Sequence, residues 1–195
     1  MMYALIRKTD NKKILLWWSQ SPCVIRTLRE IDGFRDPEVI AIPPKNMIEF
    51  YSLHTLPPPP RVICYDGESF NTTETTRETW GEVFLFRRIA ILTESINRAC
   101  VQAVDEFALL PFAGLLDNLL ADDVMMSHCA TSAKCDSVEL KKLLSFHKGN
   151  EKMKQAWATG IYLKYSQKIK TLTNAQQVND LKLEFQREFS ESFRV

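Results

Sequence analysis

The chain has 195 residues, 45% apolar and 25% charged, with a formal net charge of +1. That composition excludes a disordered tail and a strongly basic coat for nucleic acid, and it suffices to bury a core. The near-neutral total conceals opposed blocks: residues 66–123 carry net −7, residues 134–195 net +5 and the first 65 net +3. Such blocks can pair within a fold or between copies in an assembly.

Five cysteines, at 23, 64, 100, 129 and 135, are odd in number and lack the spacing of a disulfide framework. The start, Met1 to Lys8, has no secretory pattern, and no stretch approaches the ~20 apolar residues that span a bilayer. The expectation is a reducing, intracellular setting with no membrane association.

In chain order, Tyr3 to Lys8 and Lys13 to Trp18 are rich in β-formers and flank Thr9-Asp10-Asn11-Lys12, which predicts a β-hairpin. Adjacent Trp17 and Trp18 should point to opposite faces, leaving one exposed or at an interface. Ser21 and Pro22 open a short helix over 23–31, with Gly33 beyond it. Strands follow at 38–42, 47–53 and 62–65, the last closed by Asp66-Gly67. Between them, Pro57-Pro58-Pro59-Pro60 exclude helix and central strand, and predict a stiff extended strap.

Beyond Phe70 the period becomes helical. Thr75 with Glu78, or Thr79 with Glu82, has capping-box spacing. Leu85, Ile89, Leu92, Ile96, Ala99, Ala103 and Phe107 then form the stripe of a long helix, stopped by Pro111. A short helix over 112–120 and a loop over 124–134 are expected next. Asp136 and Glu139 open a helix ending near Gly149. Met153, Trp157, Ile161, Tyr165, Ile169 and Leu172 stripe another, and Asn174 caps the last, whose stripe is Val178, Leu181, Phe185 and Phe189. The predicted class is α+β: a small β-rich module over 1–70, containing the hairpin, further strands and one short helix, then an all-helical module over 71–195 of about five helices.

No reactive centre emerges. There is no Gly-x-Ser-x-Gly elbow and no clustered glycines for phosphate. Asp122-Asp123 and Asp105-Glu106 read as solvated acids at helix ends. His128, Cys129, Cys135 and His147 offer zinc-type ligands. Yet Cys-x5-Cys departs from a zinc knuckle, and His147 shares a helix face with Leu140, Leu143 and Leu144, so a boundary histidine is the readier reading. The expectation is no enzyme, no cofactor and no metal.

Residues 141–170 hold eight lysines against one acid, Glu151, with Phe146, Trp157, Tyr162 and Tyr165 interleaved. Lysines neutralise phosphates and aromatics stack on bases. Lys141, Lys142, Lys148, Lys152, Lys154, Lys164 and Lys168 are therefore the residues of an alternative, nucleic-acid-associated reading. The absence of arginine disfavours bidentate base readout.

The hairpin over 3–18, the prolines 57–60, Tyr65-Asp66-Gly67-Glu68-Ser69-Phe70 and the helix over 88–100 together resemble small tail-associated and tail-fibre-assembly proteins of tailed bacteriophages. In that family the prolines more often follow the Tyr-Asp-Gly segment; here they precede it. The resemblance covers about half the chain. It implies a non-enzymatic role in assembly, in a host cytoplasm or a virion, with a protein partner or self-association. Trp17, Trp18 and Phe193 are the candidate interface anchors.

Overall fold

The computed structural model describes residues 2–9, 12–34, 37–42, 56–108, 120–133 and 136–192. Strands β1 (Met2–Thr9), β2 (Lys12–Ser19), β3 (Glu38–Ile42), β4 (Arg61–Tyr65) and β5 (Phe70–Glu74) accompany helices α1 (Pro22–Arg29), α2 (Arg77–Ala108), α3 (Asp123–Ala133), α4 (Ser137–Lys170) and α5 (Ala175–Ser192). The result is the expected α+β fold. Two compact units form: residues 1–97 with 164–195, and residues 98–163.

In the first unit the strands build one antiparallel sheet, ordered β3-β1-β2-β4-β5. β1 and β2 are the expected hairpin, Lys8 facing Lys13 and Ala4 facing Trp18. Leu5 pairs with Trp17 while Ile6 pairs with Leu15, so Leu16 is an extra residue on β2. This bulge lets Leu15 and Trp18, an odd number of positions apart, share one face. On that face Met2, Ala4, Ile6, Leu15, Ile42 and Ile63 form a buried cluster. Leu5, Ile14 and Val62 are buried on the other face. Each such aliphatic side chain contributes about 1.5–3 kcal/mol.

Ser21 caps α1 by accepting from the Val24 amide, and Pro22 opens its first turn, as the sequence predicts. The helix ends at Arg29, and Gly33 takes φ +87° in the turn beyond, where glycine alone is unstrained. Arg7 ties β1 to α2 through Glu82 at 2.5 Å. Leu92, Ile89 and Ile96 are buried as the stripe predicts, but so are Val83, Phe86 and Ala90, so the apolar face of α2 is broader than expected.

Several expectations are corrected. The prolines do not form a strap: the Arg61 amide donates to the Pro58 carbonyl at 3.1 Å across a cis Pro59-Pro60 bond, closing a turn before β4. Phe70–Glu74 is a strand, not the approach to a helix. Thr76, and neither Thr75 nor Thr79, caps α2, accepting from the Thr79 amide at 3.2 Å. Residues 124–133 are helical, not a loop. Gly149 ends nothing, because α4 is one 34-residue helix. The strand expected at 47–53 and most of the helix expected at 112–120 lie outside the described residues.

The Tyr-Asp-Gly segment is the β4–β5 turn. Asp66 accepts from the Glu68 amide at 2.8 Å, and from the Ser69 amide and hydroxyl at 2.7 and 2.9 Å. Gly67 sits at φ +113° and its carbonyl accepts from the Tyr65 hydroxyl at 2.5 Å. The Ser69 and Glu68 amides hold the Asp66 carboxyl down to about 2. A carboxyl lowered on folding stabilises above its unfolded value near 3.8, and the benefit is lost as pH falls from there towards 2. Asp66→Asn is therefore expected to lower the melting temperature at pH 6, with the gap to wild type closing by pH 2.

Arg87 is a second local oddity. The residue is only 7% exposed, and its Nε has no acceptor among the described residues. Burial lowers its pKa to about 10. A desolvated guanidinium with no carboxylate partner among the described residues costs free energy, so Arg87→Met is expected to raise stability by about 1 kcal/mol in urea titration. A loss of similar size would show that the guanidinium has an acceptor.

Where α4 turns into α5, Asn174 caps α5 by accepting from the Gln177 amide at 2.9 Å, as predicted. Tyr165 is fully buried, edge-on to Phe185 with centroids 5.1 Å apart. Its hydroxyl donates to Glu188 at 2.7 Å. Burial first, and that hydrogen bond second, push the phenol pKa up.

Candidate functional site

The second unit holds the end of α2 from Arg98, all of α3 and α4 as far as Leu163. Asp122 starts α3 by accepting from the Val124 and Met125 amides at 2.9 and 3.0 Å. Asp136 does the same for α4 with Val138 and Glu139, at 2.8 and 3.1 Å. The acids read as solvated helix-end groups are thus structural at Asp122, while Asp123 binds Lys141 at 2.8 Å, which lowers its carboxyl. Side chains at 105 and 106 lie outside the described residues.

α3 and α4 flank an open groove of about 510 Å³, walled by Asp123, Met126, Val138, Lys141, Lys142 and Ser145 among others. Among the described side chains of this unit, the buried apolar residues are mostly small: Cys100, Ala103, Ala130 and Ala158, with Met126 and Ile161. Val101, Val124, Met125, Val138, Met153 and Leu163 are exposed. Among the described side chains of this unit, then, more large apolar ones face solvent than are buried.

Met153 was expected in the core stripe of its helix, yet it is 71% exposed. Steps of four residues turn a helix by about 400°, so the series 153, 157, 161, 165 precesses by about 40° per step. Ile161 and Tyr165 are buried, Trp157 is half-buried and Met153 has rotated out.

The lysines do not form one free basic strip. Lys141 pairs with Asp123; in the first unit Lys164 pairs with Glu188 at 2.6 Å, Lys168 with Glu184, and Lys170 with Glu30 at 2.6 Å. Lys164, and then the Tyr165 hydroxyl, hold the Glu188 carboxyl below its ordinary range. Lys142 and Lys152 are exposed, and Lys154 is half-buried. The Lys148 side chain is not among those described.

Trp17 and Trp18 are both half-buried. Their rings lie 14° from parallel with centroids 6.3 Å apart, although the two residues pair with consecutive Leu5 and Ala4, so their side chains leave opposite faces of the strand as expected. Trp18 packs against the sheet cluster, while the Trp17 indole N–H is buried without an acceptor among the described residues. Phe193 lies outside them. Of the zinc-type set, His128 and Cys129 are exposed neighbours on α3, and residue 135 and the side chain of 147 are not described. Among the described residues no three of His, Cys, Asp and Glu gather to hold a metal.

Reasoning from the sequence missed the exposed face of α4 that carries Val138, Met153 and Leu163. Its one signal was apolar residues recurring opposite the stripe of Ile161 and Tyr165. No described helix is long and apolar enough to cross a membrane. Compared with known proteins, the chain matches no family model, no curated protein and no solved structure.

Proposed function

We propose that the chain is a non-enzymatic interaction or assembly protein, of the kind found in tailed bacteriophages, acting within a larger complex in the host cytoplasm or the virion. The observation that carries this reading is the set of large apolar side chains exposed among the described residues of 98–163, namely Val101, Val124, Met125, Val138, Met153 and Leu163. Burial of such side chains against a partner supplies the usual driving force for association. The resemblance of the hairpin, the proline run and the Tyr65–Phe70 turn gives the phage setting. The Asp66 hydrogen bonds give that turn a structural role on their own account.

The test is sedimentation of the tagged full chain in extracts of its source. It is expected to travel with structural proteins of a particle or a large complex. Migration as a free 22.5 kDa species would overturn the proposal. The alternative of phosphate binding requires Lys141, Lys164 and Lys168 to exchange carboxylates for phosphates. It predicts oligonucleotide affinity that falls steeply with salt, and no detectable binding at low salt would remove it.

A further inference from the structure

One side of α4 runs the length of the second unit, its first turns walling the groove shared with α3. Val138, Lys142, Gly149, Lys152, Gly160 and Leu163 recur at steps of three and four, or their sums, so they lie on one side of the helix. All six are exposed, Val138 at 59% and Leu163 at 56%, with Met153 beside them. Ala158 and Ile161, on the opposite side, are buried. A Cβ added at Gly149 or Gly160 would meet nothing within 4 Å. The face therefore combines large apolar groups with low points at which another backbone can approach closely.

Its charge decides what fits. Neither Lys142 nor Lys152 has an acidic partner among the described residues, and none of the positions that make up the face is acidic. Lys141, just off the face, is neutralised by Asp123. Two copies of α4 laid face to face would gather four ammonium groups, and the one carboxylate described beside them, Asp123, is already paired with Lys141. A helix with an apolar stripe bordered by carboxylates would complement both the apolar groups and the lysines.

We propose that this face of α4 docks an amphipathic helix of a partner protein whose apolar stripe is flanked by Asp or Glu. The proposal rests on the reading of the chain as an assembly protein, and names the chemistry of what it assembles with. Lys142 and Lys152 set the polarity of recognition, Val138, Met153 and Leu163 supply the apolar contact, and the two glycines set the depth of approach.

The test uses the full chain and two synthetic helical peptides of about three heptads with identical leucine stripes. One is flanked by glutamates and the other by lysines, and binding is read by fluorescence anisotropy. The glutamate peptide is expected to bind roughly five- to tenfold tighter, the preference weakening in high salt. K142E/K152E is expected to reverse the preference. Equal binding of both peptides, binding of neither, or an unchanged preference in K142E/K152E would overturn the proposal. So would a dimer of the chain that these substitutions dissolve, since the occupant would then be a second copy. Should the chain travel with its complex regardless of K142E/K152E, this face is wrong and the assembly reading stands.

Discussion

Phe86→Ala is expected to lower the unfolding free energy by about 3–5 kcal/mol. Phe86 is fully buried on α2, and its ring meets Phe34 edge-on, centroids 4.8 Å apart at 70°. The substitution removes an aromatic contact, exposes apolar surface and leaves a cavity that fixed neighbours cannot fill. Phe84 is the control, two residues earlier on the same helix. It is 41% exposed, stacked on Trp80 at 5.1 Å and lying under Arg88. Phe84→Ala is expected to cost about 1 kcal/mol or less, since the site stays open to water. Urea titration of both variants measures the difference. Equal losses would contradict the burial of the α2 face.

The second large effect concerns association. V138E, M153E and L163E combined are expected to leave the fold intact, because exposed positions away from special features tolerate substitution within about 0.5 kcal/mol each. The same triple variant is expected to weaken complex formation at least a hundredfold (~3 kcal/mol), as three apolar anchors are replaced by charges that a buried contact would have to desolvate. Circular dichroism and thermal melting check the fold, and sedimentation checks the complex. Retained association with an intact fold would place the contact elsewhere.

The parts of the fold legible in the sequence were those set by local rules. The β1–β2 hairpin, the Ser21-Pro22 start of α1 and the Asn174 cap of α5 follow from turn and capping chemistry. The features that were misread need partners distant in sequence. β5, Phe-Asn-Thr-Thr-Glu, has one large apolar residue and no alternation, and it is a strand because β4 pairs with it from Arg61 to Tyr65. α3 is rich in Ser, Thr, Ala, Cys and His, with buried positions only at Met126 and Ala130 among its described side chains, too few to mark a stripe. Gly149 resembled a C-cap, but such a cap needs the left-handed region, which among the described glycines only Gly33 and Gly67 adopt.

The candidate site was less legible for the same reason. A run of lysines reads as one basic surface until Glu184, Glu188, Asp123 and Glu30 arrive from other helices and turns. The bulge at Leu16 has no signature in that apolar run, so the face shared by Leu15 and Trp18 was not legible. Met153 was misplaced because a strict four-residue series walks around the helix. That error concealed the face of α4 on which the docking proposal stands.

The central claim is that residues 98–163 carry surface meant for another molecule. The measurement that tests it most directly is the mass of the tagged full chain in extracts of its source, by size exclusion with light scattering, beside the V138E/M153E/L163E variant. The account predicts a mass well above 22.5 kDa for the wild type and 22.5 kDa for the variant. A wild-type chain that runs alone at 22.5 kDa in those extracts would contradict it.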